Sequence, residues 1–262
     1  MIVHSAKQGT PEWAAARAGI PTASKFHVLM TAEARKGKLT AGAAAYLHEK
    51  LAEWVLGQPL DDGVLGGFAA RGTALEDEGI ADYQFRREIV VERVGLITND
   101  AGTVGASVDG LVGGDGVVEV KCYELKKHIA ALLKSDDSHL AQIQGGLWIT
   151  ERSWCDRVYY NPILPAVTIQ VKRDDDYIAD LCRAVNYFLG HLEAAKTKLL
   201  SLGVKPRIPA QGPEAALPGT QGGGDRPGHA PEAPEAPGAS RAAMVAELAE
   251  LNADIGLVES GI

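Results

Sequence analysis

The chain has 262 residues, 46% hydrophobic and 23% charged, the balance of a soluble globular protein with one core and appendages. No run approaches the roughly 18 apolar residues that a membrane span needs, and Met1-Ile2-Val3-His4-Ser5 lacks a basic-then-apolar export pattern. The net charge of −8 does not exclude a nucleic-acid partner, because a groove needs only a local cluster of Lys and Arg.

In chain order, Thr10-Pro11 opens a first helix, with threonine as N-cap and proline in the first turn. Thr22 is expected to cap a short second helix through Met30. Longer helices follow at about Thr40–Val55, stopped by Gly57, and Phe68–Phe85. Ile89–Thr98, Gly102–Val108 and Val117–Lys121 read as strands, joined by Asn99-Asp100 and Gly113-Gly114-Asp115-Gly116. Ser138–Ile149 reads as a helix, 157–161 and 167–171 as strands, and Asp174–Leu200 as a long closing helix. The expected fold is α/β, a small mixed sheet flanked by helices. Cys122, Cys155 and Cys182, none in a Cys-x-x-Cys, argue against disulfide, zinc-finger and four-cysteine iron–sulfur frameworks. A reduced, cytoplasmic protein is expected.

Composition changes near Leu202. Eight of the thirteen prolines fall within 203–240, with Gly222-Gly223-Gly224, and that segment reads as a flexible linker. Beyond it, 241–262 places Met244, Leu248 and Leu251 at helical spacing, a short amphipathic helix after Ser240. Residues 1–202 then form the folded domain.

The chemically informative segment is Ser107-Val108-Asp109-Gly110, eight further residues, then Glu119-Val120-Lys121. Side chains alternate along a strand, so Glu119 and Lys121 share a face. A hairpin at the glycine-rich turn would bring Asp109 beside them. Two carboxylates near a common cation make a hard oxygen site suited to magnesium or manganese, and a lysine beside them can position water or neutralise phosphate. Such a set serves metal-assisted phosphodiester hydrolysis. The plainer alternative is a turn-forming Asp-Gly and a solvated cross-strand Glu-x-Lys pair.

Asp109 with Glu119-Val120-Lys121 resembles the core of the PD-(D/E)XK nucleases. Four further segments resemble the viral recombinase branch typified by phage lambda exonuclease, the YqaJ-like family. They are Gly9-Thr-Pro-Glu-Trp-Ala-Ala-Ala-Arg17 with Thr22-Ala23-Ser24, then Arg71-Gly72-Thr73-Ala74-Leu75-Glu76, then Ala141-Gln142-Ile143-Gln144-Gly145-Gly146-Leu147-Trp148, and Asp156-Arg-Val-Tyr-Tyr-Asn-Pro162. The likeness runs over about residues 7–200; the family's proline before the aspartate is Val108 here.

This resemblance implies a restriction-endonuclease-like core and a metal-dependent 5′-to-3′ exonuclease on double-stranded DNA. It would release mononucleotides and leave 3′ overhangs for phage-type recombination by strand annealing. Asp109, Glu119 and the Val120 carbonyl would hold Mg2+ or Mn2+, two ions per site, with Glu76 reaching the second. Lys121 would orient the attacking water, and Gln142 would bond near that water or the scissile phosphate. Arg17 and Ser24 would hold the DNA 5′-phosphate. A single-strand annealing protein is the implied partner, a homo-oligomer the expected assembly, and a bacterial host cytoplasm the expected setting. Alternatives on the same core are a structure-specific or restriction-like endonuclease and a non-catalytic DNA-end-binding protein.

Each residue also has a plainer role. Glu76 sits beside Asp77 and Glu78 and could be a solvated helix carboxylate; Gln142 and Gln144 could be boundary polar residues. Arg17 could favour its helix C-terminus, and Ser24 could bond local backbone. Trp13 and Trp148 are assigned to the core, His139 to a structural role and Cys122 to a buried small hydrophobe. Arg35, Lys36 and Lys38 form a basic loop, read either as solvated surface or as a contact to the DNA backbone.

Overall fold

The computed structural model describes residues 1–31, 38–60, 67–133 and 139–207, without the side chains of 67–73. The chain divides into two units, Met1–Ile208 and Pro209–Ile262. The linker and terminal-helix expectations, with Arg35 and Lys36, lie outside the described residues. Among those described, no helix is long and apolar enough to cross a membrane.

Helix α1 spans Pro11–Arg17, and the Thr10 hydroxyl accepts the Trp13 N–H as its N-cap. The short helix expected after Thr22 is a 3₁₀ helix, Ala23–Val28. Thr22 precedes it but makes no side-chain cap bond, since its hydroxyl faces Arg17 and Ser24 instead. Helix α2, Ala41–Leu56, is capped by Thr40 and ends at Gly57 in the left-handed conformation. Helix α3 runs Gly67–Arg87, and α6 runs Asp175–Ser201 behind an Asp174 N-cap. The buried side of α6 carries Ile178, Leu181, Val185, Phe188, Leu192 and Ala195, the spacing of one helical face.

The strands differ most from expectation. Ile89–Thr98 is not one strand: β2, Val91–Glu92, and β3, Ile97–Thr98, belong to different sheets. An N-terminal strand that the sequence pattern does not reveal, β1 (Ile2–Val3), pairs with β3, and β3 pairs with β4, Gly105–Ala106. The hairpin partner of β6, Gly116–Cys122, is therefore not the segment before Asp109. It is β5, Gly110–Val112, immediately after it. Arg152 holds the connecting turn through the Gly113 and Gly116 carbonyls, each 2.8 Å away.

The main sheet has the order β2-β5-β6-β7-β8, where β7 is Trp154–Asn161 and β8 is Leu164–Lys172. Only the β6–β7 pair is parallel. Its crossover contains α4, Leu125–Leu133, which sequence patterning missed, and α5, Leu140–Ile149. Central position explains why β6 is buried from Gly116 to Val120 rather than alternating. On one side, α3 packs Ile80 and Tyr83 against Val91, Val112, Val118, Val120 and Val158. The 3₁₀ helix packs against α5, and Tyr46 of α2 stacks on Phe188 of α6 with ring centroids 5.3 Å apart. This is the expected α/β core, with a second small antiparallel sheet added.

Candidate active site

Strand β6 delivers the centre of the site. Val118 and Val120 join the core under α3, so Glu119 and Lys121 face the other way. The Lys121 ammonium donates to Glu119 Oε1 at 2.7 Å and to Gln142 Oε1 at 3.2 Å. Gln142, projecting from α5, donates through Nε2 to the same Glu119 oxygen at 2.5 Å. Asp109, just before β5, is buried, and its Oδ2 accepts the Val120 N–H at 2.6 Å. That bond docks Asp109 onto the strand holding Glu119, and it draws the three motif residues together by a route other than the expected hairpin.

Glu76, on α3, lines the same cleft, and its Oε1 accepts from Arg93 at 3.1 Å. Arg93 lies equally close to Asp77. No sequence signal singled out Arg93, which lies in the loop between β2 and β3.

The charges are strained in a consistent direction. Burial, reinforced by the charges of Glu119 and Glu76, pushes the Asp109 carboxyl well above the usual carboxylate range; the Val120 N–H and Lys121 offset only part. Burial also raises Glu76; Arg93 opposes this, while Glu119 and Asp77 add to it. Burial works against the Lys121 ammonium, yet Glu119, by charge and hydrogen bond, and Asp109 outweigh it and hold the proton more tightly. Lys121 is therefore a cationic donor at neutral pH.

Hard, crowded and mutually repelling carboxylates fit a divalent cation. Among the described residues no three His, Cys, Asp or Glu side chains already form a metal-holding group. A cation here would complete its shell with main-chain oxygen such as the Val120 carbonyl, with water, or with substrate phosphate, as magnesium commonly does.

The segment from α1 to the 3₁₀ helix also lines this cleft, which is about 240 Å³ in volume. Arg17 and Ser24 both line it. Arg17 Nη2 donates to Thr22 Oγ1 at 3.4 Å, and Thr22 shares a 3.3 Å hydrogen bond with Ser24. The Arg17 guanidinium also lies 4.6 Å from the centre of the buried Trp13 ring. Trp13 Nε1 donates to Ser107 Oγ at 3.0 Å. Thr22 and Ser107 line the cleft too; both fall in segments quoted from the sequence, but neither was given a site role there. Ser107 stands two residues before Asp109, so its place beside the motif was a usable signal.

The plainer assignments fare unevenly. Gln144 is a buried latch, donating to the Lys172 carbonyl at 2.8 Å and accepting the Asp174 N–H at 3.0 Å. His139 pairs with the Tyr123 hydroxyl at 2.8 Å. Trp148 is only half-buried, tilted against Phe26. Cys122 is half-buried rather than buried, with its thiol pushed up to about 12 by burial and then by Glu76 and Asp109. Lys38 is exposed.

The model of the YqaJ-like viral recombinase domain matches residues 12–153. The alkaline exonuclease LHK-Exo from Laribacter hongkongensis is 33% identical, with a TM-score of 0.66 over 74% of this chain and 98% of that one. A second structure of LHK-Exo, in complex with dAMP, superposes with a TM-score of 0.65 at the same identity and coverage. A phage-related exonuclease from Haemophilus somnus 129PT, 18% identical, shares the fold with a TM-score of 0.56 over 69% of this chain and 96% of that one. No curated protein sequence matches the chain. With the motif residues gathered in one cleft and the match spanning them, the chain belongs to the YqaJ-like viral recombinase family of PD-(D/E)XK nucleases.

Proposed function

We propose that the protein is a divalent-metal-dependent exonuclease that degrades one strand of duplex DNA from its 5′ end. It releases mononucleotides and leaves a 3′ single-stranded overhang for recombination by annealing. The observation that carries this reading is one cleft lined by two kinds of group. Asp109, Glu119, Lys121 and Gln142 line it, and so do Arg17, Thr22 and Ser24. Hydrolytic groups thus share a cleft with groups suited to a terminal phosphate, the arrangement an end-dependent enzyme needs. The dAMP complex of the 33%-identical exonuclease agrees with a mononucleotide product.

Asp109, Glu119 and the Val120 carbonyl would hold the cation, with Glu76 available to a second. When bound, the cation supplies Lewis-acid activation of water and phosphate and neutralises developing charge. The protein's own residues supply orientation. Lys121, held as an ammonium, donates to the attacking water or a phosphate oxygen, and Gln142 fixes the Glu119 carboxylate and the Lys121 head at once. Arg17 presents a fork that grips phosphate bidentately, with the Ser24 hydroxyl beside it. Arg35, Lys36 and Lys38 would contact the DNA backbone, a single-strand annealing protein would be the partner, and the assembly would be a homo-oligomer.

The test uses linear duplex DNA with a 5′ phosphate, in magnesium or EDTA, for the wild type and Lys121→Ala. Magnesium-dependent loss of the 5′-labelled strand as mononucleotides is expected, with the variant slower by about 10²–10³-fold, the usual cost of one transition-state donor. Covalently closed circles should stay intact. Cut circles would replace the reading with an endonuclease, and end binding without cleavage would replace it with a binding protein.

A further inference from the structure

One face of α2 is unusual for a buried helix surface. Tyr46, Lys50 and Glu53, spaced to share that face, are each only 3–4% exposed. Lys50 donates to Glu53 Oε2 at 2.5 Å and lies 3.0 Å from Glu49 Oε1. Apolar side chains replace such buried ion pairs at little cost to stability, or with a gain. Stability therefore does not explain this one.

Its hydrogen bonds point to a different role. Glu53 Oε2 also accepts the Gly19 N–H at 2.9 Å. Gly19 has φ +73°, and a Cβ there would lie 3.1 Å from Trp54 Cβ, so the turn suits glycine pressed against α2. About two turns back along the helix, Tyr46 Oη accepts the Thr22 N–H at 3.0 Å. The ring of Tyr46 is held by Phe188 on α6, and the Lys50 ammonium lies 5.2 Å from its centre. The Pro21 carbonyl is tied separately, accepting the Gly105 N–H at 3.0 Å. Segment 19–22 is thus gripped at both ends by one helix face, and it is the segment that joins Arg17 to Ser24.

We propose that Tyr46 and Glu53, the latter held by Lys50, are positioning residues for the terminal-phosphate cradle. They fix the backbone at Gly19 and Thr22 so that Arg17, Thr22 and Ser24 converge, and they thereby set the preference for 5′-phosphorylated over 5′-hydroxyl ends. The inference rests on the reading of Arg17 and Ser24 as 5′-phosphate ligands. Neither positioning residue lines the cleft.

The test measures kcat/KM on linear duplexes that differ only in the 5′-phosphate, and it reads their ratio. Tyr46→Phe keeps the ring stack and removes the acceptor for Thr22. The ratio should fall about tenfold, the usual scale for orphaning a buried N–H, while the rate on 5′-hydroxyl ends holds. Two neutral double variants provide an independent arm should Tyr46→Phe fold poorly. Lys50→Met with Glu53→Gln keeps an acceptor for Gly19 and should retain the ratio, whereas Lys50→Met with Glu53→Met removes it and should lose the ratio. Arg17→Ala is the reference. If it collapses the ratio while Tyr46→Phe and the Met/Met variant preserve it, the positioning role is wrong and the cradle stands. A wild-type ratio of one, or a ratio untouched by Arg17→Ala, overturns the cradle reading and this inference together.

Discussion

Asp109 shows how the site sets function against stability. Its carboxyl is buried and 6% exposed, close to two other carboxylates, and its proton affinity is raised by that burial and by Glu119 and Glu76. The folded state therefore holds this proton more tightly than the unfolded chain, whose aspartates titrate near about 3.9. Stability without divalent metal falls as pH rises from that value through the raised folded value. Asp109→Asn keeps an oxygen for the Val120 N–H and removes the charge. At pH about 7.5 in EDTA it should melt above the wild type, each kcal/mol being worth about 2–4 °C in a domain of this size. The gap should close as pH is lowered towards about 4, where both forms are neutral. Adding magnesium should raise the wild-type melting temperature by binding linkage and leave the variant unmoved. A variant that melts lower in EDTA at pH about 7.5 would show that Asp109 is structural rather than reserved for a cation.

Elements meet at this site because small residues let them approach. Gly79 on α3 faces the sheet where a Cβ would lie 2.8 Å from Val120 Cγ1 and 3.1 Å from Tyr160 Cβ. At Gly145 on α5 a Cβ would lie even closer, 2.6 Å from the Phe26 ring of the 3₁₀ helix. The first contact sets the height of Glu76 over β6, and the second brings Ser24 towards Gln142. Gly79→Ala should cost about 1–3 kcal/mol by overpacking and lower the rate further than the stability loss accounts for, as Glu76 is lifted. Gly190→Ala, at an exposed position of α6 with nothing within 4 Å, should instead stabilise by roughly 0.5–1 kcal/mol and leave the rate alone. Equal effects of the two on activity would sink the close-approach account. The same contacts mark the limit of sequence reading. Long helices such as α2 and α6 are legible because caps and a repeating apolar face recur over many residues. Strands of two or three residues, such as β1, β2 and β5, are too short to display a period, and only their partners define them. Asp109, Glu119 and Lys121 were legible as a motif, whereas Arg93, Tyr46 and Glu53 act through contacts between elements distant in sequence.

At the scale of the whole molecule, charge is divided unevenly along the chain. Residues 208–262 contain Arg226 and Arg241 against eight acidic residues, a net −6 of the total −8. Residues 1–207 therefore carry only −2, although they include the carboxylates of the cleft. The described body ends in a tied segment: the Val204 N–H bonds the Leu199 carbonyl at 3.0 Å, and the Arg207 N–H bonds the Val55 carbonyl at 3.1 Å. Truncation after Arg207 thus keeps every residue of the cleft and its supports. A tethered polyanion repels a DNA polyanion, over a range set by a screening length of about 10 Å at 0.1 M salt. The truncated protein should bind linear duplex in EDTA more tightly than the full chain at about 25 mM salt, and equally at about 300 mM. Its kcat with magnesium should match that of the full chain. The paired measurement is fluorescence anisotropy across the salt series alongside single-turnover digestion. No difference at low salt would mean that the acidic segment stays clear of the DNA path. A loss of kcat would mean that residues beyond 207 complete the active site.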